Sequence, residues 1–223
     1  MRPILLALAL LSACGGAVGP GHGRAPPVAA QAYFGLAPGR CFEYAEGDGG
    51  PATVGLVTAS EPTGVALHLS HHGQDERVDH LSFDGGLVLL DRQDFIAGVA
   101  LTSRGFATPL LYLAAPLSST APSLSSSSSY SDVVSGADGG SGTESFEVDV
   151  IQAGTLATPA GSFFADELNV VGNAPSKAVN DRRWLSPDAG FVDLYLPDDQ
   201  GSYVDFLLVD EKPTGPAAPC AAN

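Results

Sequence analysis

The stretch Val65–Phe83, VALHLSHHGQDERVDHLSF, decides the fold, because it holds two short runs of alternating apolar and polar residues around one glycine. Alternation with a period of two is typical of a β-strand that is buried on one side only. A turn centred on Gly73-Gln74 places His72 opposite Asp75. One face of this hairpin then carries Val65, Leu67, Leu69, His71 and Val78, and the other carries His68, Ser70, His72, Asp75, Arg77 and Asp79. The stretch therefore predicts a half-buried antiparallel hairpin.

Similar segments recur from Tyr33 onward, separated by Gly, Pro, Asn and Asp. Regular short strands of this kind favour an antiparallel sandwich or barrel over βαβ units. We expect an all-β domain over residues 33–210, a single curved antiparallel sheet closing toward a β-sandwich or open barrel, with a flexible tail at 211–223. The predicted strands are Arg40–Ala45, Ala52–Ala59, Val65–His72, Arg77–Phe83, Leu87–Asp91, Phe146–Ile151, Phe163–Val171, Arg182–Leu185, Phe191–Leu196 and Tyr203–Val209.

A serine-rich central segment, residues 118–143, allows two interpretations. SSTAPSLSSSSSYS (Ser118–Ser131) and SGADGGSGT (Ser135–Thr143) both have the composition of a flexible linker. Alternatively, Ser123–Val134 is a polar strand, which serine tolerates at an exposed position. We favour the strand, because neither half of the chain alone shows a complete sheet.

The first residues, MRPILLALALLSAC, have the pattern of a secretory signal. The apolar run Ile4–Leu11 is shorter than the roughly 20 residues that a transmembrane helix needs. Its ending, Leu11-Ser12-Ala13-Cys14, resembles the lipobox of bacterial lipoproteins. That resemblance implies a signal peptide at 1–13, acylation of Cys14 and a lipid anchor in the cell envelope, and Gly15 implies the outer membrane. The alternative is an ordinary signal peptide with an incidental cysteine.

Residues 14–32 are nearly all Gly, Ala, Pro and Val, which predicts a flexible tether. Two further cysteines, Cys41 and Cys220, lie near the two ends of the folded part. In an exported chain two such thiols are more often paired than free, so we expect a disulfide between them. The alternative is two unpaired thiols.

The charge balance limits the partners. The chain has 25 acidic and 10 basic residues, a formal net charge of −15. Such a balance repels phosphate backbones, which argues against nucleic-acid binding. The acids are scattered along the chain, as on a solvated surface.

Four of the five histidines lie in the opening stretch and raise the possibility of a metal site. A register one residue longer would bring His68 opposite His80, with His72 nearby, and could support a metal-assisted hydrolase. This register breaks the apolar pattern, so we prefer a solvated hairpin with no metal. The chain also lacks a Gly-x-Ser-x-Gly elbow, a His-Glu-x-x-His pair and a phosphate-binding glycine loop. We therefore expect no catalytic residue and no cofactor.

The most recognisable motif is TPAGSF (Thr158–Phe163), followed by Trp184, Pro187, Gly190 and Val192. It resembles a motif of bacterial envelope β-proteins that have no established activity. The resemblance implies a strongly curved antiparallel sheet, broadly like that of periplasmic lipoprotein carriers. The serine run stands where that family tends to place a tryptophan. Proline and glycine in the motif also favour two tight turns, so its role is structural.

These features together predict a non-enzymatic, membrane-anchored envelope lipoprotein that acts as a binding or interaction module. Its partners would be the membrane, through the anchor, and an apolar small molecule or another envelope protein. A structural envelope protein without a ligand is the alternative. Residues that could line an apolar site on the concave face are Leu67, Leu69, Val88, Leu90, Phe164 and Phe206; the alternative for each is an ordinary core position.

Overall fold

The computed structural model describes residues 29–47, 50–117, 123–174, 177–187, 189–197 and 201–213. The predicted signal peptide, Cys14, most of the tether and Cys220 lie outside these residues. One helical turn, α1 (Ala30–Tyr33), precedes twelve strands. The strands are β1 (Arg40–Glu46), β2 (Val54–Glu61), β3 (Gly64–His71), β4 (Gln74–Asp84), β5 (Leu87–Ala97), β6 (Ala100–Ala114), β7 (Leu124–Val134), β8 (Ala137–Thr158), β9 (Gly161–Ala174), β10 (Lys177–Ser186), β11 (Gly190–Pro197) and β12 (Tyr203–Pro213).

All twelve strands form one closed antiparallel barrel in which each strand pairs with its neighbours in sequence. The first and last strands close the barrel, since Cys41 of β1 lies opposite Lys212 of β12 and also opposite Val57 of β2. The expected all-β antiparallel sheet is confirmed, and it closes completely rather than stopping at a sandwich or open barrel. Strand pairing runs around the whole barrel, although the β6–β7 ladder covers only part of these two strands.

The two ends of the barrel differ. We call the end that holds α1 and the β4–β5, β8–β9 and β10–β11 turns the base, and the opposite end, with the β3–β4, β5–β6 and β11–β12 connections, the mouth. At the base, the backbone N–H of Ala30 donates to the carbonyl of Gly85 at 3.2 Å. Ala30 and Phe34 are completely buried. The predicted flexible tether through residue 32 is thus wrong at its end, because this short segment packs under the barrel.

Aromatic and aliphatic side chains form one packed core inside the barrel. The hydroxyl of Tyr44 donates to the carbonyl of Phe191 at 2.9 Å, which satisfies the one polar atom of this buried ring. Burial raises the pKa of Tyr44 well above its usual value. The largest completely buried side chains are Tyr44, Phe34, Phe42, Phe191, Phe206, Leu36, Leu81, Leu90, Leu110, Leu113, Leu168 and Leu185.

The β3–β4 hairpin forms as predicted, but in a different register. The turn residues are His72 and Gly73, both with positive φ (49° and 75°), and His71 lies opposite Gln74. Both the preferred pairing of His72 with Asp75 and the longer one of His68 with His80 are therefore wrong. Positive φ at both central residues matches the twist of a two-residue hairpin. A β-bulge between Leu69 and Ser70 then shifts the pairing by one residue and turns β4 over, so Asp79 lies opposite Leu67 on the interior face.

The serine run is a strand, as preferred, and the linker interpretation is wrong for its described part. The β6–β7 ladder ends where Phe106 lies opposite Tyr130. Beyond that point, the hydroxyl of Ser128 accepts the N–H of Thr108 at 3.0 Å, and that of Ser126 accepts the N–H of Leu111 at 2.9 Å. Serine hydroxyls therefore replace missing backbone partners. Strand β6 was not predicted.

Candidate binding cavity at the barrel mouth

A cavity of about 240 Å³ opens at the mouth of the barrel. Its wall combines four apolar and four polar residues, which is a composition suited to an amphipathic molecule. The apolar residues are Val54, Leu69, Phe95 and Leu196, and the polar ones are Ser70, His71, Glu76 and Arg77. We call this space the mouth cavity.

Arg77 is the central polar residue of the mouth cavity. It lies on β4 between Leu69 of β3 and Phe95 of β5, so its side chain leaves the sheet among apolar groups. Its Nε is 3.3 Å from Oδ1 of Asp79. Asp79 is only 1% exposed and also accepts a hydrogen bond of 2.9 Å from the amide of Gln93. Asp79 and Gln93 therefore hold the guanidinium of Arg77 in place.

A second, much smaller void lies deeper in the barrel, with room for about one water molecule. Its volume is about 10 Å³, and it shares Leu69, Arg77 and Leu196 with the mouth cavity. Arg183 lines it and donates from Nη1 to the hydroxyl of Tyr112. Burial raises the pKa of Tyr112, while the nearby guanidinium of Arg183 acts in the opposite direction. Arg183 thus places a further guanidinium group below that of Arg77.

His71 is the histidine of the β3–β4 hairpin that reaches the mouth cavity. Its ring stacks on that of His72 with 4.6 Å between centroids and meets the edge of Phe206 at 5.8 Å. Its Nδ1 is 3.8 Å from Oε1 of Glu76. These contacts fix the ring at the rim, where it can add a hydrogen bond to a ligand.

The alternative metal site does not form. His68 and Asp75 are 3.2 Å apart (Nδ1 to Oδ2), while His72 lies in the turn. His80 contacts Glu61 at 2.6 Å and Asp94 at 3.0 Å through its two ring nitrogens. The three histidines therefore do not converge, and in the described part of the chain no three His, Cys, Asp or Glu side chains are grouped to hold a metal ion.

The predicted lining residues have three different positions. Leu69 lines both voids and Leu67 lines the smaller one. Val88, Leu90 and Phe206 are packed in the core, so they line no described cavity, and Phe164 is 64% exposed at the base. Val88, Leu90 and Phe206 are therefore ordinary core residues rather than part of a lining. Sequence reasoning did not identify Arg77, Phe95, His71 or Leu196 as cavity residues. The available signal was Arg77, a charged residue within an alternating strand. Its interior position becomes clear only in the observed register of β3 and β4.

Cys41 is completely buried on β1 and packs with Val57, apart from the main core. Its predicted partner, Cys220, lies outside the described residues, as does Cys14. The disulfide and the lipid anchor therefore stay predictions. Among the residues that the structure describes, no helix is long and apolar enough to cross a bilayer.

No family model and no curated protein matches the chain. Two solved structures resemble its fold. One is described as a "putative exported protein with YmcC-like fold" from Bacteroides fragilis NCTC 9343, with 13% identity over 81% of this chain and 98% of that chain and a TM-score of 0.40. The other is described as a "putative lipoprotein" from Parabacteroides distasonis ATCC 8503, with 12% identity over 81% of this chain and 99% of that chain and a TM-score of 0.39.

Proposed function

We propose that the protein is a non-enzymatic lipoprotein of the bacterial cell envelope, whose barrel binds a small amphipathic molecule at its mouth. The observation that carries this proposal is the guanidinium of Arg77 among the apolar residues of the mouth cavity. A ligand with an apolar body and one anionic group could contact both the apolar residues of this cavity and the guanidinium of Arg77. No metal, cofactor or nucleic acid is required for this role.

The chemistry of the wall supports an anionic group on the ligand. Arginine presents several N–H donors in a plane and can bind a carboxylate through two parallel hydrogen bonds. The side chains of Leu69, Phe95 and Leu196 would cover the apolar part of the ligand. Ligand cavities usually measure about 300–1,000 Å³. The ligand would therefore be small, or only one end of it would enter.

The lipid anchor would be attached at Cys14, after removal of residues 1–13. Two or three acyl chains hold a protein on a membrane because each buried CH₂ contributes about 0.8 kcal/mol. Gly15, directly after Cys14, favours attachment to the outer membrane. The anchor would fix the base near the bilayer, because α1 lies at the base.

Binding at the mouth can be tested with anilinonaphthalene sulfonate, a fluorescent probe with an aromatic body and one anionic group. We expect fluorescence enhancement with the wild-type chain. Leu196→Trp, which fills the cavity, and Arg77→Leu, which removes the cation, should each weaken binding by at least about tenfold, since about 1.4 kcal/mol corresponds to that factor. The matched control is Arg92→Leu on the next strand, because the side chain of Arg92 is 48% exposed.

Equal affinity of the probe for the wild type, Leu196→Trp and Arg77→Leu would contradict the proposal. Urea unfolding of each variant separates loss of the site from loss of the fold. Leu196→Trp is the more informative variant, since it leaves the contact between Arg77 and Asp79 unchanged.

A purely structural envelope protein is the second candidate function. It is favoured by the packed core of the barrel, where Tyr44, Phe42 and Phe206 are almost completely buried. This candidate predicts no saturable binding of the probe to the wild-type chain.

A further inference from the structure

The tip of the hairpin formed by β8 and β9 carries no charged side chain. Residues 150–165, VIQAGTLATPAGSFFA, contain no Asp, Glu, Lys or Arg, although the chain carries 25 acids and 10 bases. Asp149 and Asp166 border this segment on either side. An uncharged hairpin can approach an apolar phase without the cost of desolvating an ion.

The two faces of this hairpin have different surroundings. Thr155 lies opposite Phe164, and the next pair along the ladder is Leu156 with Phe163. Adjacent pairs on a hairpin point to opposite faces. Leu156 and Phe163 pack against the main core, whereas Phe164 is 64% exposed. The hairpin is therefore attached through one face and presents an aromatic ring on the other.

The position of this hairpin on the barrel is fixed by a contact at the base. The turn residue Ala160 donates its N–H to the carbonyl of Leu208 at 3.0 Å, so the tip is held against β12. Beside it, Phe163, Phe164, Pro187 and Ala189 border an open depression of about 570 Å³. Glu211, which also borders it, is paired with Arg40 at 2.7 Å. The surface around Phe164 is thus largely apolar, and the acid that borders the depression has a cationic partner.

The chain also enters the barrel at the base, through α1. Cys14 precedes the first described residue, Ala29, by only 15 positions in the sequence. A lipid on Cys14 would therefore keep Phe164 within reach of the bilayer surface.

We propose that the β8–β9 hairpin contacts the bilayer and inserts the ring of Phe164 into its interface. This inference rests on the lipid anchor of the proposed function and adds a second attachment point to it. One acyl anchor and one inserted ring would together orient the barrel with its mouth away from the membrane. Aromatic rings are enriched at the membrane–water interface, which suits this role.

The test uses the full-length protein purified from membranes and reconstituted in phosphatidylcholine vesicles, with and without brominated acyl chains. Phe164→Trp places a fluorescent reporter at the proposed contact. The matched control, Val99→Trp, places one at the mouth, where Val99 is fully exposed in the β5–β6 turn. The wild-type chain, whose single tryptophan is Trp184, gives the background to subtract.

We expect brominated lipid to remove about half of the Phe164→Trp signal, because a ring at the interface lies close to the acyl chains, and to leave Val99→Trp unchanged. If Phe164→Trp floats with the vesicles but is not quenched, the hairpin does not contact lipid and the inference is overturned, while the anchor stands. If the protein does not float, the anchor fails and the inference fails with it. A dimer in sedimentation that shields Phe164→Trp before vesicles are added would identify a second copy as the occupant and overturn the inference.

Discussion

Asp193 is a buried carboxylate whose ionisation should destabilise the fold. It is 3% exposed on β11, between Trp184 of β10 and Leu207 of β12. In the described structure its Oδ1 has no hydrogen-bond partner. Burial raises the pKa of Asp193 from 3.8 to about 7, and the negative charge of Asp205 adds to the effect. The replacement Asp193→Asn keeps the shape and removes the charge.

The sign of the pH dependence follows from proton binding. Between about pH 4 and pH 7 the folded state binds more protons at Asp193 than the unfolded state does. The free energy of unfolding of the wild type therefore decreases as pH rises through this interval. Since each pH unit of displacement corresponds to about 1.4 kcal/mol, the contribution is at most about 4 kcal/mol. Arg182, Asp205 and Glu167 face the same group; Arg182 opposes the shift, while the two acids strengthen it.

Urea unfolding of the wild type and of Asp193→Asn at pH 5 and pH 8 measures this contribution. We expect the variant to gain stability relative to the wild type at pH 8 and to show a flatter profile. Asp79→Asn is the matched control, because Asp79 is equally buried but contacts Gln93 and Arg77. It should lose about 1–3 kcal/mol, since buried partners are left less well satisfied. Parallel profiles of the wild type and Asp193→Asn would refute the reasoning.

Three further predictions concern the packing at a glycine, the hydroxyl of a serine and the disulfide. Gly64→Ala should lower the free energy of unfolding in urea by about 3 kcal/mol or more, because its Cβ would lie 1.8 Å from the carbonyl oxygen of Leu81. Gly105→Ala is the control, because a Cβ there would have nothing within 4 Å. Equal losses of stability in the two variants would contradict the close packing at Gly64. Ser128→Ala should cost about 1–3 kcal/mol, because it leaves the N–H of Thr108 without its hydroxyl acceptor, whereas an unchanged unfolding midpoint would show that the β6–β7 junction does not depend on serine. Non-reducing peptide mapping should recover Cys41 linked to Cys220, and reduction should cost at most about 5 kcal/mol; recovery of both as free thiols would exclude the disulfide.

The alternation of apolar and polar residues was sufficient to predict the class of the fold. The turn at Thr158–Gly161 and the one between Ser186 and Gly190 form where proline and glycine indicated. Closure of the barrel was not predictable, because the pairing of β1 with β12 joins residues from the two ends of the folded part. Strand β6 was missed because its first half has no strong apolar periodicity.

The site was harder to predict than the fold. The alternation in Val65–Phe83 suggested that Arg77 and Asp79 face the solvent, whereas the observed register places both inside. The predicted register assumed that only apolar side chains face the interior. This interior also contains charged side chains, and Gln93 and Tyr112 form hydrogen bonds with them. The β-bulge between Leu69 and Ser70, which turns β4 over, has no clear signal in the sequence.

The proposed attachment at Cys14 is the central claim. It would place the base against the bilayer and leave the mouth free to receive a ligand. The most direct measurement is the intact mass and the membrane fractionation of the wild type and of Cys14→Ser, expressed in a bacterial host. We predict a wild-type chain that begins at Cys14, carries two or three acyl chains and sediments with membranes, while Cys14→Ser is released to the soluble fraction. An unacylated wild type, or a Cys14→Ser chain that sediments with membranes as the wild type does, would contradict the account.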